Sequence, residues 1–277
     1  MIQLDELCLE HNGLLARPGH AWTLAELIEL LPGGWDELRV PAVDVGTFGE
    51  PEAIGRDFQV LVDREVASPY VDLARVRGAG GYLAVLGANT RSQIRRAGRA
   101  VGPTTLEAAT SLGQAFAIYD ELVQLHATSW RARGEPGAFA DPWFDRFHRE
   151  LIAARFAHGE IELLRLRAGD RTIGCLYNLV AHGRVLFYQS GLAAFDDKHV
   201  KPGFLCQAAA IDRAALAGHA IYDFLGGDAR YKAQLATDST RLQWLRVQRR
   251  LTRFAWEDRV LRWKRAVQRA YATTVSR

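Results

Sequence analysis

Lysine is nearly missing from this chain. Its 277 residues include 35 Lys and Arg together, but lysine occurs only at Lys198, Lys201, Lys232 and Lys264, so arginine supplies the other 31 (35 − 4). Cysteine occurs three times and methionine once. Cys8, Cys175 and Cys206 show neither a C-x-x-C pair nor histidines at metal-ligand spacing. They read as buried thiols in a reduced, cytoplasmic setting, and no metal is expected. No apolar run approaches the roughly 20 residues that span a bilayer, and the first residues lack the charged-then-apolar layout of a secretory leader. No integral membrane contact is therefore expected. G-x-S-x-G, G-x-x-x-x-G-K-[ST], H-E-x-x-H and the dinucleotide glycine fingerprint are all absent, which argues against a metal or nicotinamide enzyme. A net charge of +3 is too small to imply nucleic acid without a localised patch.

With 48% hydrophobic and 24% charged residues, the chain can bury one large or two small cores. Thr23 and Glu26 form a capping box that opens a helix, TLAELIELL, before Pro32-Gly33-Gly34. LRVPAV and FQVLVD read as short strands. NTRSQIRRAGR, residues 89–99, is polar and basic with no apolar face, and reads as a connector. TTLEAA is a strand. Ser111 with Gln114 caps a long helix to about Arg131, with Ala115, Ile118, Leu122, Leu125 and Trp130 on one stripe. Asp141-Pro142 starts another helix.

The period then changes to alternation. IELLRLRA, RTIGCLYNLVA and RVLFYQSGL form a three-strand meander with turns at Gly169-Asp170 and His182-Gly183. Pro202 opens a helix that ends at Gly218, and HAIYDFL is a further strand. Gly226-Gly227 then turns the chain, and Asp228 is placed to cap a short helix carrying Tyr231 and Lys232. A last strand follows. Residues 251–277 read as a basic amphipathic helix, with Val260, Trp263, Val267 and Tyr271 at helical spacing. It is expected to dock on the protein or, alternatively, to lie on a membrane surface.

This order, together with NTRSQIRRAGR, LHATSW, Lys201-Pro202-Gly203 and YDFLGGDARYK, resembles the GNAT acyltransferases, specifically their FemAB-like branch. The resemblance spans roughly residues 80–250 and implies an α/β fold, with a mixed, mostly antiparallel sheet flanked by helices. It divides the chain into a partial N-terminal GNAT-like half (1–88), an acyltransferase domain (89–250) and the C-terminal helix (251–277). A partial first half leaves an open sheet edge through which the chain could self-associate or bind a partner.

The resemblance further implies acetyl-CoA or another acyl-CoA as co-substrate. The acceptor it implies is a small-molecule amine or a peptide- or sugar-linked amine of cell-envelope or polysaccharide metabolism. An aminoacyl-tRNA donor and a non-catalytic binding module are the alternatives. The helix N-terminus at Lys201, Pro202 and Gly203 suits a pyrophosphate, because its backbone N–H groups and dipole favour an anion. Asp196 and Asp197 oppose this, and Lys198, Lys201 and His199 can offset them. Tyr188 and Gln189 lie on the strand that GNAT proteins place against the acyl group. Tyr231 falls at the position of the GNAT tyrosine that protonates the departing thiolate, and Lys232 at that of a functional lysine in related transferases. An ammonium there can stabilise an oxyanion. Asp223 reads either as a general base or as a structural acceptor for arginine or backbone N–H. His126, Arg131 and Asp228 are candidates for the acceptor side. Arg91, Arg95, Arg96 and Arg99 could reach a phosphate, or simply face solvent.

Overall fold

A computed structural model of the protein describes residues 10–12, 16–17, 19–49, 54–254, 256, 259 and 263. Cys8 and most of the C-terminal segment, including Val260, Val267 and Tyr271, lie outside the described residues. The chain forms two compact units, one of residues 1–67 with 240–277 and the other of residues 68–239. The boundary expected at residue 88 thus falls inside the second unit, and the first unit draws on both ends of the chain.

In the first unit, the Thr23 capping box forms as the sequence dictates and opens helix α1 (Leu24–Leu30). Strand β1 (Glu37–Asp44) pairs antiparallel with β8 (Asp238–Arg249), with Glu37 opposite Gln248 and Asp44 opposite Leu242. Leu24, Val43, Phe48, Leu245 and Val247 form this unit's own buried cluster.

Strand β2 spans Phe58–Asp72, far past the FQVLVD stretch that the sequence marks. Arg64, Glu65 and Pro69 break the alternation there, and tertiary pairing overrides that weak local signal. Pro69, which lacks an N–H, precedes the paired stretch Tyr70–Asp72 and offers its carbonyl to the Phe224 N–H at 3.0 Å. The Asp72 carboxylate then caps α2 (Leu73–Gly78), and α3 (Tyr82–Val85) follows.

The 89–99 segment is helical. It forms α4 (Ala88–Val101), which buries Thr90, Ile94 and Ala97. These positions recur at three- and four-residue spacing, so a narrow stripe meets the core while Arg95, Arg96 and Arg99 stay exposed. The expectation of no apolar face is therefore corrected.

The rest of the second unit follows the sequence closely. Its elements are β3 (Thr105–Ala108), α5 (Leu112–Arg131), α6 (Pro142–Arg155), β4 (Ile161–Ala168), β5 (Arg171–Ala181), β6 (Arg184–Leu192), α7 (Pro202–Leu216), β7 (Ile221–Asp223) and α8 (Arg230–Leu235). Strands β2, β7, β6, β5, β4 and β3 neighbour one another in that order. All these pairs are antiparallel except β6 with β7. One cluster, including Val185, Phe187, Ile211 and Tyr222, fills one face beneath α4 and α7. A second, including Tyr119, Leu122, Ile152 and Tyr177, lies with α5 and α6.

Helix α5 meets β6 at backbone distance. A Cβ on Gly191 would lie 2.2 Å from the Leu122 carbonyl oxygen, so only glycine fits at that crossing.

Candidate active site

The parallel pair β6/β7 is short. Its last partners are Leu186 and Asp223, yet β6 continues to Leu192 while the chain leaves β7. Leu225 makes that departure with φ of 62°, a left-handed conformation uncommon for leucine. In open α/β sheets ligands collect where such strand ends meet helix N-termini.

A cavity of about 480 Å³ lies close by. Asn89 and Gln93 line it from α4, Lys201 and Phe204 from the start of α7, and Arg230, Tyr231 and Gln234 from α8. The volume falls within the range of small-molecule sites. Two cations, three carboxamides and two aromatic rings face it, and no carboxylate lines it. Lys201 is the α7 N-cap residue, and its ammonium sits 5.6 Å from the Phe204 ring centroid. The Phe204 and Leu205 N–H groups donate to the Lys201 carbonyl, at 3.0 and 3.2 Å, closing the first turn. Pro202 fixes that turn, and a Cβ on Gly203 would come within 3.2 Å of Leu192. Asp197 is turned into its own loop, where its carboxylate accepts the His199 N–H at 2.8 Å. Tyr231 keeps 37% of its surface exposed. Burial of the remainder raises its phenol above the usual range, so it holds its proton at neutral pH.

Of the residues singled out in the sequence, the structure brings Lys201 and Tyr231 to one cavity, with Pro202 and Gly203 in the adjoining turn. The others lie elsewhere. Asp223 is fully buried. Its carboxylate accepts from Arg184 at 2.6 Å, the Leu225 N–H at 2.8 Å and the Ser68 hydroxyl at 3.4 Å. That is the structural-acceptor geometry. Lys232 donates to the Gly226 and Leu225 carbonyls. Asp228 is exposed and does not cap α8, whose N-cap is Ala229 with no side-chain hydrogen bond. The capping expectation is corrected. The turn ends one residue later, so the Asp228 side chain falls outside capping reach.

Tyr188 and His126 sit in the aromatic cluster with α5 and α6. The Tyr188 hydroxyl is 3.1 Å from His148 Nε2, and His148 Nδ1 is 3.3 Å from the Tyr177 hydroxyl. Burial depresses His148 to about 4, so it is neutral at pH 7. His126 is buried against Trp130, Phe139 and Gly137, and that desolvation, with Arg133 nearby, also lowers its pKa. Gln189 pairs with Tyr177 across β5/β6. Arg131 bonds the Ala127 carbonyl of its own helix. Cys175 and Cys206 are buried free thiols, and desolvation pushes Cys206 up to about 12.

Sequence reasoning missed Asn89, Gln93, Phe204, Arg230 and Gln234. Asn89 and Gln93 stand four apart on α4, a spacing that marks one helix face once the segment is known to be helical.

Residues 87–233 match the acetyltransferase (GNAT) domain, more than half of the 277-residue chain. The chain belongs to the GNAT acetyltransferase-domain family. That stretch of the GNAT domain contains every cavity-lining residue except Gln234. No curated protein matches by sequence.

Three solved structures share the GNAT fold seen here. FemX superposes with a TM-score of 0.52 at 12% identity, over 80% of this chain and 73% of its own. L-PGS from Bacillus licheniformis gives 0.52 at 10% identity, over 77% and 68%. A conserved protein of unknown function from Bacteroides thetaiotaomicron gives 0.50 at 12% identity, over 72% and 65%, so the chain spans just under two thirds of that protein. At such identities the likeness is one of fold. The GNAT fold, with FemX and L-PGS among its neighbours, agrees with the FemAB-like resemblance in the sequence.

Among the described residues, no group of three or more His, Cys, Asp and Glu side chains is placed to hold a metal. None of the described helices is long and apolar enough to cross a membrane.

Proposed function

We propose that the protein is an N-acyltransferase that moves an acyl group from an acyl-CoA to an amine acceptor. The cavity at the start of α7 carries this reading, because it joins two cations to a protonated phenol inside the GNAT-matched region. Lys201 and Arg230 suit the phosphates of the donor, and Phe204 suits its apolar arm. The acceptor nitrogen attacks the thioester carbonyl carbon, a C–N bond forms, and the C–S bond breaks as the carbonyl re-forms. Tyr231 gives its hydroxyl proton to the departing sulfur and regains one from solvent, while the amine loses its extra proton to water. The acceptor is a small-molecule, peptide-linked or sugar-linked amine. The FemAB-like resemblance supports an envelope or polysaccharide precursor and a cytoplasmic site of action.

Ligand-dependent melting tests the donor. Acetyl-CoA at 100 times its dissociation constant should stabilise the fold by about 2.7 kcal/mol, a rise of roughly 5–10 °C for a chain of this size. A shift given only by aminoacyl-tRNA, and lost steeply as salt rises, would replace CoA with tRNA as the donor. No shift with either would favour a non-catalytic binding module.

A further inference from the structure

Lys232 adjoins Tyr231 in sequence but does not line the cavity. Its Nζ lies 2.7 Å from the Gly226 carbonyl oxygen and 3.2 Å from that of Leu225. A Cβ on Gly227 would come within 3.5 Å of the same ammonium. The turn is gripped from its other side as well, because Asp223, itself paired with Arg184, accepts the Leu225 N–H. This grip holds Leu225 at its φ of 62°. The far end of α8 is fixed separately, by the buried Leu235 side chain and by the Tyr82 hydroxyl, which donates to the Leu235 carbonyl. A six-residue helix has too few internal hydrogen bonds to hold itself. Its orientation depends on these two anchors.

We infer that Lys232 is a positioning residue that locks the Leu225–Gly227 turn and thereby holds Tyr231 in the cavity, rather than a group that touches the reacting carbonyl. The inference rests on the reading of Tyr231 as the proton donor. Two of the ammonium's three N–H groups are held by the turn's carbonyls and the side chain does not line the cavity, so moving it to an oxyanion there would free the turn that carries the acid. Lys201 and Arg230 are the cations that line the cavity.

Hydrogen exchange of the full chain, without donor, reads the clamp directly. Lys232→Ala should speed amide exchange across residues 225–231 at least tenfold and leave the β4–β6 meander unchanged. Unchanged exchange at 225–231 would overturn the inference. Thiol release from acetyl-CoA, with hydroxylamine as the amine, supplies the second readout. Lys232→Ala should lower kcat tenfold or more in the parent protein but less than twofold in a Tyr231→Phe background, because coupled residues are not additive. An equal loss in both backgrounds would place Lys232 at the carbonyl and contradict the inference. Lys232→Gln, whose amide can still donate to a carbonyl, should recover part of the loss and serves if the alanine variant does not fold. No recovery with either Lys232→Gln or Lys232→Arg, both of which can donate to the carbonyls, would overturn the inference. If the parent releases no thiol, the acyl-transfer reading fails, while exchange still decides the clamp.

Discussion

Tyr231→Phe is expected to lower turnover with acetyl-CoA by about 10²-fold or more, the usual scale for a lost general acid. Donor affinity should change little, because the hydroxyl matters when charge builds on sulfur and not when the thioester first binds. The pH dependence has a definite sign. Burial raises the Tyr231 phenol, so its acid form persists through neutral pH and is lost only as pH climbs through that raised value. In the phenylalanine variant the proton must come from solvent, whose hydronium falls tenfold per pH unit. The deficit should therefore widen between about pH 6 and pH 8. Initial rates of thiol release for both proteins across that range check the prediction. Parallel profiles with equal rates would remove Tyr231 from the chemistry.

Gly191→Ala is expected to produce the largest loss of stability. The added methyl would sit 2.2 Å from the Leu122 carbonyl oxygen and 2.8 Å from its Cα, so the backbone of α5 or β6 must shift. Overpacking against backbone costs about 3 kcal/mol or more. For a chain of this size that lowers the melting temperature by roughly 6–12 °C. Gly113→Ala is the control. It lies within α5, an added Cβ there meets nothing within 4 Å, and alanine should be neutral or stabilising by about 0.5–1 kcal/mol. Calorimetry or circular dichroism on the two variants separates close approach from a general intolerance of alanine.

The meander was legible to the residue because two signals agreed. Alternation ran through IELLRLRA, RTIGCLYNLVA and RVLFYQSGL, and the turns fell where the backbone needs positive φ, at Gly169, His182 and Gly183. The helix starts at Thr23, Ser111 and Asp141 were legible because each side chain takes up an otherwise unpaired N–H. β2 was legible only in part. Past FQVLVD, the charges at Arg64 and Glu65 and then Pro69 hide the strand, and its last residues, Tyr70–Asp72, are fixed by pairing with β7, a partner that no local pattern announces. α4 was missed as a packed helix since its buried stripe is only Thr90, Ile94 and Ala97.

The candidate site follows the same division. Lys201 and Tyr231 were legible because Pro202 and the Gly226-Gly227 turn mark where α7 and the α8 segment begin. Asn89 and Gln93 were not, since they reach the cavity only once α4 lies against α7, where Gly98 faces Leu205. Lys232 shows the limit of pattern reading. The resemblance marks it as a functional lysine, but its hydrogen bonds to the Leu225 and Gly226 carbonyls have no signal in the sequence, since they form only once the turn closes.

The central claim is that the α4–α7–α8 cavity holds the acyl donor. Calorimetric titration of acetyl-CoA into the parent protein and into the double variant Lys201→Glu/Arg230→Glu tests it most directly. Both side chains belong to exposed residues, so reversing them should leave the melting temperature without ligand within about 2 °C. The account predicts saturable binding by the parent and at least tenfold weaker binding by the variant, with the difference shrinking as salt rises. Equal affinity in the two proteins, or no binding by the parent, would contradict it.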